Sequence, residues 1–508
     1  MRMKTDLNKL PAMIAAPAVR RAGLVASVFV LLLPTGCSGG SAAGENGGDR
    51  LRVAMLQPPR SGLSPFSDDA FKLSRLGIAE TLVSLDEGGA PQPALATAWS
   101  QVDRTTWRFT LREAVRFHDG TTLDAARVVD VLRRAAATKP KPRILDGVEL
   151  SAEAEQGAVV VRTAVPDPLL PQRLSSPQLS ILAAAAYQAD AVNPVRTGTG
   201  PFVLTRLTGT QGATLDRYDG YWGGPAAASG IDVSFVPDGT ARAAALRTGA
   251  ADIVEAVPAS QLAVLDKQLY RTVSMPRTNT LYLNSRTGAF ADPAVRAAAR
   301  AAVQRDPLVA GVYEGNADTA RGLLGPAVPW AAQRPARTER PAGSATGKKI
   351  VLATFSDRPE LPEVAATVAQ QLEAVGFVVQ QVVREYAHIE ADALAGRFDA
   401  FILSRATMLD SGDPVAYLAS DFTCDGGFNI AQLCDPAVDQ AIGAASVEGD
   451  LTRRRALILA AERAVLETDA AVPMLHERVA QGNAPGVVDA RFDPRERLLV
   501  GLKTRRTG

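Results

Sequence analysis

The sequence predicts an α/β protein of more than one domain, and three observations carry that prediction. More than 450 residues follow position 50, beyond the size at which single cores stop growing, so two or three domains are expected. Strand and helix signals alternate: IVLATF (350–355), LPEVAATVAQQLEAVG (361–376) and FVVQQVV (377–383) read as strand, helix, strand, and FDAFILS (398–404) as the next buried strand. That order argues for parallel sheets covered by helices. In WRFTLRE, Trp107, Phe109 and Leu111 alternate with Arg108, Thr110 and Arg112, the pattern of a half-buried strand.

Taken in order, the chain opens on Arg2, Lys4, Lys9, Arg20 and Arg21, followed by an uncharged stretch from Ala22 to Pro34 and by small residues before Cys37. That is the layout of an export signal. Its thirteen uncharged residues fall short of the roughly twenty that cross a hydrocarbon core. The combination resembles the bacterial lipoprotein signal, in which the cysteine becomes the N-terminus and carries diacylglycerol. Pro34 stands where that signal usually has Leu, and an ordinary secretory signal with an incidental cysteine is the alternative. SGGSAAGENGGD then reads as a flexible tether that holds a folded body near a membrane.

Setting aside the five basic and one acidic residues before Cys37 leaves 50 basic against 53 acidic residues, about −3 for the mature chain. No basic field exists to hold nucleic acid. Cys424 and Cys434, ten positions apart in CDGGFNIAQLC, read in an exported chain as a disulfide closing a turn-rich loop. A metal site would need two more ligands, and His388 and His476 are not at such spacing.

Val364, Val368, Leu372 and Val375 recur at helical spacing, with Gly376 at the C-terminal cap. Asp124 is a cap candidate for the helix carrying Val128, Val131 and Leu132. Four Asp-Pro pairs, at Asp292, Asp306, Asp413 and Asp435, each read as a capping carboxylate before a first-turn proline. The segment 331–349 reads as a surface connection. Its AGSATGKKI lacks the glycine at 342 that a phosphate loop requires and has Lys349 where Ser or Thr would bind magnesium. Three histidines, with no GxSxG elbow or HExxH helix, leave no nucleophile and base pair, so neither an enzyme nor a cofactor is expected.

Several ordered blocks then resemble one family. PQPALATAW (91–99) with TTWRFTLREAVRFHDGTTLDAARVVDVLRRA (105–135), GTGPFVLTRL (198–207) with LDRYDGYWGG (215–224), IDVSFVPDGTARAAALRTGAADIVEAVP (231–258), LYLNSRTGAFADPAVRAAARAAVQRDPLV (281–309) and CDPAVDQAI (434–442) are similar to the bacterial extracellular solute-binding proteins of family five. That family includes dipeptide, oligopeptide and nickel-complex receptors of ABC importers. The resemblance implies a two-lobed clamshell of the periplasmic-binding type (type II, cluster C-like), with a hinge of crossing strands and an extra subdomain on the first lobe. The implied division is signal peptide 1–36, tether 37–50, lobe I from 51–90, 197–270 and 477–508, extra subdomain 91–196, and lobe II 271–476. The GTGP segment also suits a tight turn into a strand.

Within SRATMLDSGDPVAYLAS (404–420), Asp410 falls on the first aspartate of the DxGDP segment of similar dipeptide receptors, which faces the cleft and pairs with the peptide's α-ammonium group. A solvated loop acid is the alternative for Asp410. Met408 is a second candidate ligand-binding residue, at a place just before the acid where many relatives have an aromatic side chain, and Asp413 matches the acid that caps the following helix. The implied function is a monomeric lipoprotein receptor that captures di- or oligopeptides by closure and delivers them to a membrane permease driven by an ATPase. A nickel chelate or other solute, a peptide-sensing receptor without transport, and a surface hydrolase on the same scaffold are the other readings.

Overall fold

A computed structural model of the protein describes residues 49–507 apart from 146, 189, 190, 359, 409 and 410. The leader, Cys37, most of the tether and Asp410 therefore lie outside the described residues. The rest is organised by one sheet of eleven strands. Two long strands, Tyr270–Leu283 and Ala471–Asn483, run antiparallel along its middle.

On one side of that pair lie Ala400–Ala406, Lys349–Phe355 and Val378–Arg384, the last two mutually parallel and joined by the helix Glu360–Ala374. The helix buries Leu361, Val364, Ala365, Val368, Ala369 and Leu372, so its apolar stripe meets the sheet at the expected spacing. Burial of each large aliphatic chain contributes about 1.5–3 kcal/mol. Gly376, at φ +107°, turns the chain out of the helix and into the next strand.

On the other side lie Ile253–Val257, Arg50–Met55 and Gly230–Phe235, all parallel, and then two antiparallel strands, Gly212–Arg217 and Phe202–Thr208. Leu51, Val53, Phe202, Ile231 and Ile253 form the apolar core of this lobe, and Leu281, Leu352, Val368 and Phe401 belong to that of the other. Each long strand contributes to both halves, so it crosses from one lobe to the other. Between Ser274 and Thr278 the register of their pairing shifts, and Pro276, which has no N–H to donate, sits in that interval.

A third core gathers Phe109, Val128, Val131, Leu132, Val159 and Val161 under a four-stranded sheet of Ala96–Asp103, Thr106–Leu111, Ala158–Thr163 and Leu150–Glu155. Its helix Ala125–Ala137 begins at Asp124, which accepts a 2.7 Å bond from the Arg127 N–H.

Asp292 and Asp435 cap their helices through the N–H groups of Ala294 and Ala437. Asp413 accepts from the Val415 N–H at 2.9 Å. The expectation fails at Asp306: Gln304 holds the cap position, Asp306 lies inside the turn, and its carboxylate accepts from the Thr319 hydroxyl at 3.1 Å. Gly198 and Gly200 serve close backbone approach more than turn geometry. A Cβ at either would stand 2.0 Å from the Ile78 oxygen or 2.2 Å from the Gly77 oxygen. The connection 331–349 is largely exposed but is pinned by Arg334, whose Nε donates to the buried carboxylate of Glu462 at 2.6 Å.

Arg454, on the helix Leu451–Glu467, is 1% exposed and donates to both oxygens of Asp413 at 2.7 and 3.2 Å and to the Ala445 carbonyl at 2.7 Å. Removing one member of a buried ion pair strands the other charge. Arg454→Ala is expected to destabilise the protein by about 3–5 kcal/mol in urea unfolding. A loss below about 1 kcal/mol would show that Asp413 is held by its helix cap alone.

Candidate functional site

The parallel strands Arg50–Met55 and Ile253–Val257 send their carboxyl ends the same way, and in open α/β sheets that is where ligands bind. The Leu56 N–H donates to Glu255 at 2.7 Å, which fixes this carboxylate at the strand ends. Arg75, at the end of the helix Ala70–Arg75, pairs with Glu255 and lies 3.8 Å from Glu496. Lys72 on the same helix pairs with Asp69 at 3.0 Å.

Asp69 also accepts from the N–H groups of Arg60 and Ser61 at 2.9 and 2.7 Å. Burial alone would raise its pKa, but the Ser61 and Lys72 bonds outweigh burial and hold it below the ordinary carboxylate value. The loop 60–69 is thus ordered by its own acid.

Arg277, from the hinge interval of the long strand, faces this wall. With Gln57, Phe71, Arg75, Glu255 and Glu496 it lines a cavity of about 290 Å³, which Asp68 and Arg143 also reach. The cavity holds charges of both signs.

Behind it lies Glu477, 4% exposed on the second long strand. It accepts from the Ser404 hydroxyl at 2.5 Å and from Arg358 at 2.8 Å, with Arg277 further off at 3.9 Å. Burial opposes the charge on both arginines. For Arg358 the attraction of Glu477 and Glu360 overcomes it and raises the pKa; for Arg277 burial prevails and lowers it. Arg277 is therefore less compensated than Arg358, half-buried and with a weak 3.4 Å bond to the Ser404 carbonyl.

Strand Ala400–Ala406 pairs with the hinge strand so that Ala406 stands opposite Arg277. The next residue, Thr407, donates its N–H to the Pro276 carbonyl at 2.8 Å. The strand Ala400–Ala406, which precedes Asp410 in the sequence, thus ends beside Arg277. Met408 is 4% exposed and packs in the core of its lobe.

The lobes also meet away from the hinge, at the turn 86–89 between the short strands Val83–Leu85 and Pro91–Pro93. Arg495 donates to the carbonyls of Asp86 and Glu87, while Arg455 reaches from the other lobe to the Gly88 carbonyl at 3.1 Å. At Gly89, φ +81°, a Cβ would lie 2.5 Å from the Gly412 oxygen and 3.4 Å from the Met408 methyl carbon. At Gly412, φ +70°, it would lie 2.3 Å from Leu85. Gly89 packs against the Gly412 backbone and Gly412 against the Leu85 side chain, with no room for a side chain at either glycine.

Cys424 and Cys434 are joined as a disulfide. Asn429 braces the loop between them, donating to the carbonyls of Thr423 and Leu433 at 3.0 and 2.6 Å. His476 is buried, shares a 2.9 Å hydrogen bond with the Thr278 hydroxyl, and is pushed down to about 4 by burial. Among the described residues no group of three or more His, Cys, Asp or Glu side chains could hold a metal ion.

Sequence reasoning missed Arg277, Arg358, Glu477, Arg75 and Glu255. A signal existed for two of them: Glu477 in VPMLHERV and Arg277 in SMPRTNTLYL interrupt strands that are otherwise buried.

A family profile, bacterial extracellular solute-binding proteins family 5 Middle, matches residues 90–429. The probable di/tripeptide-binding protein 5 of Pseudomonas aeruginosa is 26% identical over 452 residues, spanning 78% of this chain and 84% of its own. The nickel-binding periplasmic protein of Escherichia coli is 27% identical over 427 residues, 75% of this chain and 80% of its own. The crystal structure of a nickel ABC transporter from Bacillus halodurans shares the two-lobed mixed α/β fold at TM-score 0.78 and 24% identity, covering 90% of this chain and all of that one.

Proposed function

The chain belongs to the bacterial extracellular solute-binding proteins of family 5, and on that premise we propose that it captures di- or oligopeptides for an ABC importer. The observation that carries this reading is the under-compensated Arg277 lining a cavity with charges of both signs, beside the end of the strand Ala400–Ala406 that precedes Asp410 in the sequence. A zwitterion supplies what the site wants. Its carboxylate meets Arg277, and its ammonium group meets Asp410. In a cleft poor in water, both contacts are charge-assisted and stronger than in bulk solvent. An uncharged sugar would leave Arg277 buried without an anion.

Capture works by closure about the hinge interval 274–278, with the ligand favouring the form in which both lobes touch it. The closed form docks on a membrane permease, whose ATPase drives transport. Lipid on Cys37 keeps this monomeric receptor at the outer face of the membrane, within reach of that permease.

Isothermal titration with dipeptides, N-acetylated and C-amidated controls, and nickel chelates tests the ligand. Free peptides should bind, and either blocked end or Asp410→Asn or Arg277→Gln should weaken binding about ten- to a hundred-fold, the worth of one charged hydrogen bond. Binding of chelates alone would replace the peptide reading with the nickel one, and hydrolysed product would replace it with an enzyme. Gly89→Val, which forces the rim apart without touching the cavity, should raise the peptide dissociation rate in stopped-flow measurements; an unchanged rate would remove the rim from the closing motion. Cys37→Ala should move the protein from the membrane fraction to the soluble one, and continued membrane retention would refute the lipid anchor.

A further inference from the structure

A second cavity lies apart from the hinge and shares no lining residue with the hinge cavity. It measures about 260 Å³ and is walled largely by apolar side chains, among them Leu85, Pro177, Pro201, Val500 and Leu502. Three stretches of chain meet around it: residues 74–85, residues 175–177 and the C-terminal segment 493–502.

One carboxylate lines this apolar space without a counter-ion. Glu80 accepts from the Tyr221 hydroxyl at 2.7 Å and from the Trp222 indole N–H at 3.2 and 3.1 Å, both neutral donors. Arg112 lies 3.8 Å over the Trp222 ring and donates its Nε–H to the Ala94 carbonyl at 3.0 Å; among the described residues no ion pair joins it to Glu80. Burial pushes the Glu80 pKa up to about 6, against the Tyr221 and Trp222 bonds and the weaker pull of Arg112. The other charged groups of the lining are engaged with backbone. Arg495 donates to the Glu87 carbonyl at 2.9 Å and to that of Asp86, and Arg497 donates to the Ser175 carbonyl and hydroxyl at 2.9 Å. Asp493 accepts from the backbone N–H groups of both arginines at 2.9 and 3.1 Å.

We propose that this cavity is a second ligand site, for a small hydrophobic ammonium compound whose charged head meets Glu80 and whose apolar body lies among Leu85, Pro201 and Val500. The site is independent of the peptide reading of the hinge cavity. Small-molecule pockets begin at about 300 Å³, so a cavity of about 260 Å³ suits a single aromatic or branched alkyl amine. An ammonium group supplies the charge-assisted contact that Glu80 lacks, a hydroxyl supplies only a neutral one, and an anion would face a carboxylate.

The test is titration calorimetry on the full chain with 2-phenylethylamine, 2-phenylethanol and phenylacetate at pH 7 and pH 5. At pH 7 the amine is expected to bind about ten-fold tighter than the alcohol, the worth of one charge-assisted bond, and phenylacetate more weakly than either. Glu80 is ionised above about 6 and neutral below it, whereas an alkyl ammonium keeps its proton across this range, so the advantage of the amine should fade at pH 5. Glu80→Gln should remove both the preference and its pH dependence, with Arg112, Asp493, Arg495 and Arg497 unchanged. Ala94→Phe, which adds bulk at a lining position and removes no side-chain hydrogen bond, should exclude amine and alcohol alike and guards against a folding defect in the glutamine variant. Amine binding should persist in Asp410→Asn and Arg277→Gln. Equal affinity for amine and alcohol, a preference that survives Glu80→Gln or Ala94→Phe, or amine binding lost with Asp410 overturns the site. Failure of all three compounds to bind overturns it as well and leaves Glu80 as the tie that holds Tyr221 and Trp222; none of these results touches peptide capture.

Discussion

The structure depends on the pairing of two strands, Tyr270–Leu283 with Ala471–Asn483. Both lobes hang their parallel strands on this pair, so its hydrogen bonds are the continuous backbone link between two separate apolar cores. A single cooperative sheet would be rigid. The chain instead interrupts the ladder between Ser274 and Thr278, where Pro276 has no N–H to give. Bending there costs few hydrogen bonds because few are made, whereas bending within either lobe would break a close-packed core. The hinge is thus a position where pairing is deliberately incomplete.

The same interval explains the electrostatics of the site. A break in the ladder brings solvent-side charge to the middle of the sheet, and Arg277 follows directly on Pro276. Glu477, on the partner strand, is shared with Arg358 and with the Ser404 hydroxyl, so its capacity is largely used before Arg277 is served. One buried carboxylate holds the second-lobe loop through Arg358 and leaves the hinge cation wanting. On the first-lobe side Arg75 faces two carboxylates, Glu255 and Glu496, so its charge is met. The contrast locates the attraction for an anion at the hinge strand, at Arg277.

What the sequence disclosed was what local chemistry decides. The helix Glu360–Ala374 follows from valine and leucine spacing, the caps at Asp124, Asp292 and Asp435 from the residues that follow them, and the Cys424–Cys434 bond from ten positions of turn-rich chain. Asp306 misled because Asp-Pro signals a helix start without fixing which residue stands at the cap. The hinge charges were not legible because Arg277 and Glu477 are two hundred positions apart, and only strand pairing makes them neighbours. Gly198 and Gly200 look like turn residues in the sequence; the reason for them, the Gly77 and Ile78 oxygens of another segment, is tertiary.

The rim contact between the lobes completes the mechanical picture. It brings Gly89 against Gly412, with the Leu85 side chain and the Met408 methyl carbon beside them, and a hydrogen bond from Arg455 to the Gly88 carbonyl. A net hydrogen bond contributes about 0.5–1.5 kcal/mol, and glycines at 89 and 412 add no side chain of their own to the contact. A rim of leucines at the same place would add several kcal/mol and hold the lobes together with or without a ligand. With glycines the closed arrangement is shape-specific but weakly favoured by itself. A ligand that bridges the lobes shifts such an equilibrium only by its differential affinity for the two forms.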